Sequence, residues 1–471
     1  MTLKIRLASL FLIFHIVISA QDSIKIFSID QYLWFVSNYH PVVKQGQLLI
    51  KQGESTVLQS RGAFDPYLYG GVDQKQFNDK DYYSIIGGGL KVPTWYGVEL
   101  KTSINQNRGI FLNPENNTPP SGLLNAGISI PLGQGLFMDK RRATLKQAQI
   151  FNSSSKYEQQ LIINDLYYEA ISHYWNWVES WNNYQLLEES IKLAEERFEA
   201  VKSSFIMGDK PAIDTVEAFL ILQNRMLDRN QYGLVFNNNT LELSNYLWYE
   251  NNIPLVITDS LRPPIYSQSE SFSIITADSV QNILNSLNEL HPELLLYDNK
   301  LSSLNIDKRL KQEGLKPKIN VNYNFLNSNF GDNIFNTFSS QNYKWGVEVS
   351  FPIFIRQQRG DLQLAKIKIQ DVDFSMQQKT LEIQNNVKQQ FNEQLTLNEQ
   401  VKLSISMVEN YTKLLLGEKQ NFFEGESSLF LVNSREQKLI DSQLKLIELK
   451  TKLYNSSNKF YWSAGLLPNI Y

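Results

Sequence analysis

The stretch Ile319-Asn320-Val321-Asn322-Tyr323-Asn324-Phe325 carries an apolar side chain at every odd position and asparagine at every even one. In an extended strand successive side chains point to opposite faces, so a strict period of two makes one face apolar and the other polar. Trp345-Gly346-Val347-Glu348-Val349-Ser350-Phe351 keeps the pattern as a return strand, and the polar segment from Asn327 to Asn342 reads as the loop between them. Upstream, Tyr96 to Lys101 and Leu124 to Ile130 alternate in the same way, with the Asn- and Pro-rich loop Phe111 to Gly122 between them. Two surroundings fit such strands: a sandwich packed on one side, or a barrel with lipid outside and water inside. The barrel is the better reading, because the strands are too few to close a core. Aromatics also gather toward the strand ends, where Tyr67, Tyr69, Phe77, Tyr82, Tyr83, Trp95, Tyr96, Phe330, Phe335, Phe338, Tyr343 and Trp345 are predicted to form interfacial girdles.

Landmarks around these strands recur. His40-Pro41 returns as His291-Pro292 and Pro66 as Pro317, since 291 − 40 and 317 − 66 are both 251. Further on the offset becomes 217, matching Arg142 with Arg359, Leu145 with Leu362, Phe205 with Phe422 and Gly208 with Gly425. The expectation is an internally duplicated chain: a first repeat over 21–252, a linker over 253–280 and a second repeat over 281–471. Each repeat is predicted to hold a short helix stopped by glycine (Tyr39 to Arg61, Pro292 to Glu313), then strands (about 66–131 and 318–352), then a long helical hairpin. From Pro66 to Pro131 is 65 steps but from Pro317 to Pro352 only 35, so the first repeat has 30 extra residues, room for another hairpin.

The hairpins are set by length. Arg142 to Gly208 and Arg359 to Gly425 both span 66 steps of helical sequence, ~100 Å at ~1.5 Å per residue. In the first, Tyr167, Ala170, Tyr174, Trp177, Trp181, Tyr184, Leu187, Ile191, Ala194, Phe198, Val201 and Phe205 step mostly by threes and fours, a coiled-coil seam. The second is rich in Gln and Asn, including Gln384, Gln390, Gln394 and Asn398, and reads as solvent-bridging or water-lining. Lys210 to Tyr249 and Ser427 to Ser463 are expected to return from the tips at Gly208 and Gly425, glycines that supply the left-handed residue closing a helix.

Composition narrows the class. The 471 residues carry a net charge of −3 from 45 basic and 48 acidic side chains, so no nucleic acid partner is implied. Lys4 and Arg6, the apolar run Leu7 to Ile18 and Ser19-Ala20 read as a signal peptide over 1–20. With no cysteine, neither a disulfide framework nor an N-terminal lipid anchor is expected. Mature histidines are only His40, His173 and His291, two of them before prolines at helix starts. No nucleophile, metal or phosphate-loop spacing accompanies them, so an enzyme, a cofactor and a metal site are not expected.

The strands, Ser129-Ile130-Pro131 and Ser350-Phe351-Pro352 at the strand-to-helix transitions, Arg359-Gly360-Asp361-Leu362 and the tip Gly425-Glu426-Ser427-Ser428-Leu429-Phe430 resemble the TolC family of outer-membrane efflux proteins. The resemblance covers essentially all of residues 21 to 471. It implies an α+β, mostly α fold: a homotrimer in which each subunit gives four strands to one twelve-stranded antiparallel barrel in the outer membrane and helical hairpins to a periplasmic α-barrel. It also implies docking of the tips, at Gly208, Gly425, Phe205, Phe422, Ser427 and Ser428, on a periplasmic adaptor and an inner-membrane transporter. Some members narrow the entrance with aspartates six and nine residues past the second tip glycine; here those positions are Leu431 and Ser434, while the first repeat holds Asp214 and Glu217. Either an acidic ring of Asp214 and Glu217 or an apolar gate at Leu431 is expected. Drug efflux, metal efflux and type I protein secretion stay open, and a structural coiled-coil envelope protein is the non-transport alternative.

Overall fold

The computed structural model describes residues 25–258, 260–266, 274–328 and 339–469. The signal-peptide reading and the predicted girdle residues Phe330, Phe335 and Phe338 lie outside them. In chain order the elements are β1 (Lys25–Ile26), α1 (Ile29–Tyr39), α2 (Pro41–Arg61), β2 (Tyr67–Phe77), β3 (Lys80–Pro93), β4 (Glu99–Arg108), β5 (Leu123–Pro131), α3 (Lys140–Ile206), α4 (Ala212–Ser244), β6 (Trp248–Tyr249), β7 (Ile253–Pro254), β8 (Leu261–Arg262), α5 (Ala277–Leu290), α6 (Pro292–Glu313), β9 (Lys318–Asn327), β10 (Tyr343–Ser350), α7 (Arg356–Phe423) and α8 (Leu429–Ser463). The chain is mostly helical, with α3 and α7 running 67 and 68 residues. No helix among the described residues is long and apolar enough to cross a membrane.

Two compact units divide it. One comprises His40–Glu169, Ser273–Asn398 and Leu453–Tyr471 and holds a six-stranded antiparallel sheet of order β10-β9-β5-β4-β3-β2. Pairing in register makes its two faces continuous. Leu68 and Val72 on β2, Ile86 and Leu90 on β3, Leu100 and Ile104 on β4, Ile128 on β5, Val321 and Tyr323 on β9, and Trp345 and Val347 on β10 share one face. Asp73, Lys91, Lys101, Asn125, Asn322 and Lys344 lie on the other. Tyr67 and Tyr69 belong to this polar face, their rings beneath the Lys91 ammonium at 5.7 and 4.9 Å, so they do not join the aromatic residues of the apolar face.

Four of the six strands come from the first half of the chain. The sequence reading named only two there, because Gly70-Gly71 and Gly87-Gly88-Gly89 remove the side chains whose alternation announces a strand. Asn78 and Asp79, at φ 51° and 55°, turn β2 into β3 with the left-handed pair a tight hairpin needs. Past Pro131 the backbone stays tied to the sheet, Leu132 N–H donating to Ile319 O (2.7 Å) and Gln134 N–H to Pro317 O (2.8 Å). The Asp139 carboxylate then caps α3 by accepting from Arg142 N–H (2.8 Å). Pro352 follows β10 four residues before α7 begins at Arg356.

The helical core of this unit joins Val280, Leu287 and Leu294 to Ile383, Val387, Phe460 and Ala464. Helix α5 was not anticipated; it lies partly in the stretch read as linker. The Gln- and Asn-rich stretch of α7 is not uniformly solvated: Gln394 is fully buried, accepting from Ile275 N–H (3.3 Å) and donating to Ser457 Oγ (2.6 Å).

The other unit comprises Met1–Tyr39, Ala170–Phe272 and Glu399–Lys452. Ala170, Tyr174, Trp177, Leu187, Ile191, Ala194 and Val201 of the α3 seam are buried. Helix α4 packs along it, Trp177 Nε1 donating to Thr240 Oγ1 (2.9 Å). Helix α1, also unanticipated, buries Tyr32, Leu33 and Val36. Tyr174 O–H donates to Phe27 O (2.8 Å), and β1 pairs in parallel with β8. Helix α4 ends at Ser244, short of the expected Tyr249, because Asn251 and Asn252 adopt left-handed φ and fold β6 onto β7.

His40 and His291 precede the prolines that open α2 and α6, and each accepts a backbone N–H through Nδ1 at 3.3 Å, from Val42 and Glu293 respectively. Burial lowers both imidazoles from 6.5 to about 4. Both are therefore neutral in the fold at pH 7, while an unfolded chain takes up protons near pH 6.5. The stability they contribute is complete above pH 6.5 and falls toward pH 4, by roughly 1.4 kcal/mol per unit for each. Thermal unfolding should show a lower midpoint at pH 5 than at pH 7, and a His40→Asn, His291→Asn double variant, which keeps a capping oxygen, should flatten that fall.

Candidate functional site

The two hairpin tips are built alike. Helix α3 runs out at Ile206 and Gly208 takes φ 85°; α7 runs out at Phe423 and Gly425 takes φ 81°. Gly208 N–H donates to Phe205 O (3.0 Å) and Asp209 N–H to Ser204 O (2.9 Å). Gly425 N–H donates to Phe422 O (3.2 Å) and Glu426 N–H to Asn421 O (2.9 Å). This paired pattern satisfies the last carbonyls of each helix and requires the left-handed residue that glycine supplies without strain. Pro211 is the N-cap of α4, and Ser428, rather than Ser427, caps α8, its Oγ accepting from Leu431 N–H (3.3 Å). Ser427 instead donates to Glu418 Oε1, whose other oxygen takes Arg435 Nε at 3.3 Å. The Ser427 hydroxyl first, and then Arg435, hold the Glu418 carboxyl below its ordinary range.

Val201, Ala218 and Leu429 pack together with Phe198 and Phe422 beneath the tips, and Lys210 Nζ lies 4.8 Å from the Phe422 ring centre. Beyond this small core the tip surfaces are apolar and exposed: Ile206, Met207, Ile213, Phe423 and Phe430 are each more than two-thirds accessible, and Phe205 less so.

Of the residues proposed for a constriction, Asp214 sits half-buried in the first turn of α4, where the helix N-terminus favours a carboxylate. Glu217 accepts from Asn433 Nδ2 at 3.2 Å. Leu431 is exposed and Ser434 half-buried on α8. Sequence reading missed what ties this level together. Arg197 on α3 donates to Asn433 Oδ1 (2.8 Å) and to Glu436 Oε2, so one guanidinium bridges α3 to α8 and, through Asn433, to Glu217 on α4. The Arg197 and Glu436 side chains are only 14% and 7% exposed. Nearby Arg225 is buried, and that burial lowers its pKa against the pull of Glu436, Asp228 and Asp441. No sequence signal marked it, since Arg197 stands beside the seam residue Phe198 and not at a seam position.

A buried pair is costly to break from one side, by about 3–5 kcal/mol, because the surviving charge loses its partner. Arg197→Ala should therefore lower the unfolding midpoint far more than surface Lys202→Ala, whereas Arg197→Met with Glu436→Leu should restore it; thermal melts of the four proteins check this.

No curated protein matches the chain in sequence. Residues 283–466 match the outer membrane efflux protein family. Among solved structures, the open-state MtrE outer membrane channel of Neisseria gonorrhoeae superposes with a TM-score of 0.67 at 12% identity, over 93% of this chain and 88% of that one. The VceC outer membrane protein of Vibrio cholerae gives 0.64 at 11% over 93% and 95%. The CmeC outer membrane channel of Campylobacter jejuni gives 0.63 at 14% over 93% and 85%. Residues 283–466 thus carry the sequence pattern of the outer membrane efflux protein family, and the fold along nearly the whole length is that of these outer membrane channels.

Proposed function

We propose that this chain is one subunit of a homotrimeric outer-membrane channel that passively conducts cargo outward, handed to it by a periplasmic adaptor and an inner-membrane transporter. The observation that carries this reading is the sheet with one apolar and one polar face across all six strands. Such a surface suits lipid on one side and water on the other, and strands are the means of crossing for a chain whose described helices are all too polar. The resemblance between the halves, repeats over 21–252 and 281–471 separated by the linker 253–280, is read as a duplication that supplies two hairpins of equal reach. Helices of 67 and 68 residues, ~100 Å each, suit the depth of a periplasm.

In this reading the exposed apolar tips around Gly208, Phe205, Gly425 and Phe422, with Ser427 and Ser428, dock the adaptor. Pro131 and Pro352 mark where strands give way to helices. The entrance constriction lies at Asp214, Glu217, Leu431 and Ser434. Asp214 is its charged element, since Glu217 is already engaged by Asn433.

The mature protein should fractionate with the outer membrane as a heat-modifiable trimer and conduct ions in planar bilayers; a soluble periplasmic protein with no such trimer refutes the reading. In single-channel recordings Asp214→Ala should relieve block by divalent cations. Block that is unchanged by this substitution but altered by Leu431→Ala assigns the constriction to an apolar gate.

A further inference from the structure

We infer that the sheet closes as an eighteen-stranded barrel, three copies contributing six strands each, with β2 of one copy paired antiparallel to β10 of the next. This deepens the trimeric-channel reading and rests on it; four strands per subunit, which the family resemblance implies, would make twelve.

The additional strands are part of the sheet. Strand β3 pairs with β4 without a break from Ser84 opposite Arg108 to Pro93 opposite Glu99, and β2 pairs with β3 along its whole length with one irregularity at Lys75/Gln76. The hairpin also obeys the same division of faces, placing Leu68, Val72, Ile86 and Leu90 with the apolar residues of the other strands and Asp73 and Lys91 with the polar ones. A hairpin folded away into water would not need an apolar face continuous with that of its neighbours.

Among the described residues β2 and β10 each pair on one side only. A strand edge in hydrocarbon would leave backbone N–H and C=O groups unpaired at several kcal/mol each, so both edges need a partner. Because six strands alternate in direction, the two edges run oppositely, and β10 of one copy meets β2 of the next antiparallel. A closing register compatible with barrel geometry exists. Following paired residues across the sheet from Tyr67 leads through Lys91, Lys101, Gly127 and Asn324 to Lys344. We take as the closing register the next copy's Tyr67 opposite Ser350, at the helix-side end of β10 and 350 − 344 = 6 residues beyond Lys344. Six residues rise ~20 Å while six strand spacings cover ~29 Å, a tilt of ~35°, at the edge of the ~35–45° of outer-membrane barrels. Tyr67 and Ser350 both lie on the polar face, so this register keeps the faces continuous across the junction. Diameter grows about linearly with strand number, so the opening is about half as wide again as that of twelve strands, suited to bulkier cargo.

The chain contains no cysteine, so introduced pairs report without background. Three double variants of the full-length protein bracket the junction: Leu68→Cys with Val349→Cys, Leu68→Cys with Val347→Cys, and Val72→Cys with Val347→Cys. Residues opposed across two strands fall within disulfide reach. Under mild oxidation in isolated outer membranes at least one should give covalent trimers on non-reducing gels, while Ile104→Cys with Val347→Cys should give none. Trimers linked through Ile104 and Val347 place β4 at the edge and overturn the proposal. So do heat-modifiable trimers that form none of the β2–β10 links, with electron microscopy of the wild-type trimer counting twelve strands. Covalent dimers without trimers refute the trimeric reading itself.

Discussion

The constraint on which the rest depends is that six strands carry their apolar side chains in register. An extended chain offers half its side chains to each side and satisfies its backbone only through neighbours. Once Leu90 lies opposite Thr102, and Ile128 opposite Tyr323, a slip of one residue in any strand would carry its apolar set to the polar face. The register therefore fixes where β5 and β10 end, and so where α3 and α7 start, with Asp139 capping the first of these helices.

Polar groups inside the helical parts perform a different task. Gln394 ties the segment before α5 to α7 and α8, and Arg197 ties α3 to α8 and, through Asn433, to α4. Replacing such groups with apolar ones of similar volume is often harmless to stability, so their contribution is better seen in register than in net energy. Long coiled coils with repeating seams have many near-equivalent offsets, and a guanidinium that must meet one carboxylate selects one of them.

Both tips are legible in the sequence, because a glycine between two helical runs leaves few conformations and Gly208 and Gly425 recur at the same distance from Arg142 and Arg359. The long helices were legible from their uninterrupted length and from the α3 seam. Helix α1 was not, since eleven residues give too few turns for a period to emerge. Nor were β2 and β3, whose glycines silence the alternation, although the 30 surplus residues marked the place. The Arg197–Asn433–Glu436 cluster joins positions more than 230 residues apart in the chain, and nothing local in the sequence announces such a pairing.

The sequence by itself determined what depends on near neighbours: strand alternation, helix length, caps at His40 and His291, and the turns at the tips. These follow from side-chain period and backbone sterics acting over a few residues. Only the tertiary structure decided how many strands share one sheet, in what order and register, which of the Gln and Asn side chains are buried, and which carboxylate Arg197 meets. Those outcomes depend on hydrogen bonds and packing between segments far apart in the chain, where the choice of partner is made by the whole fold.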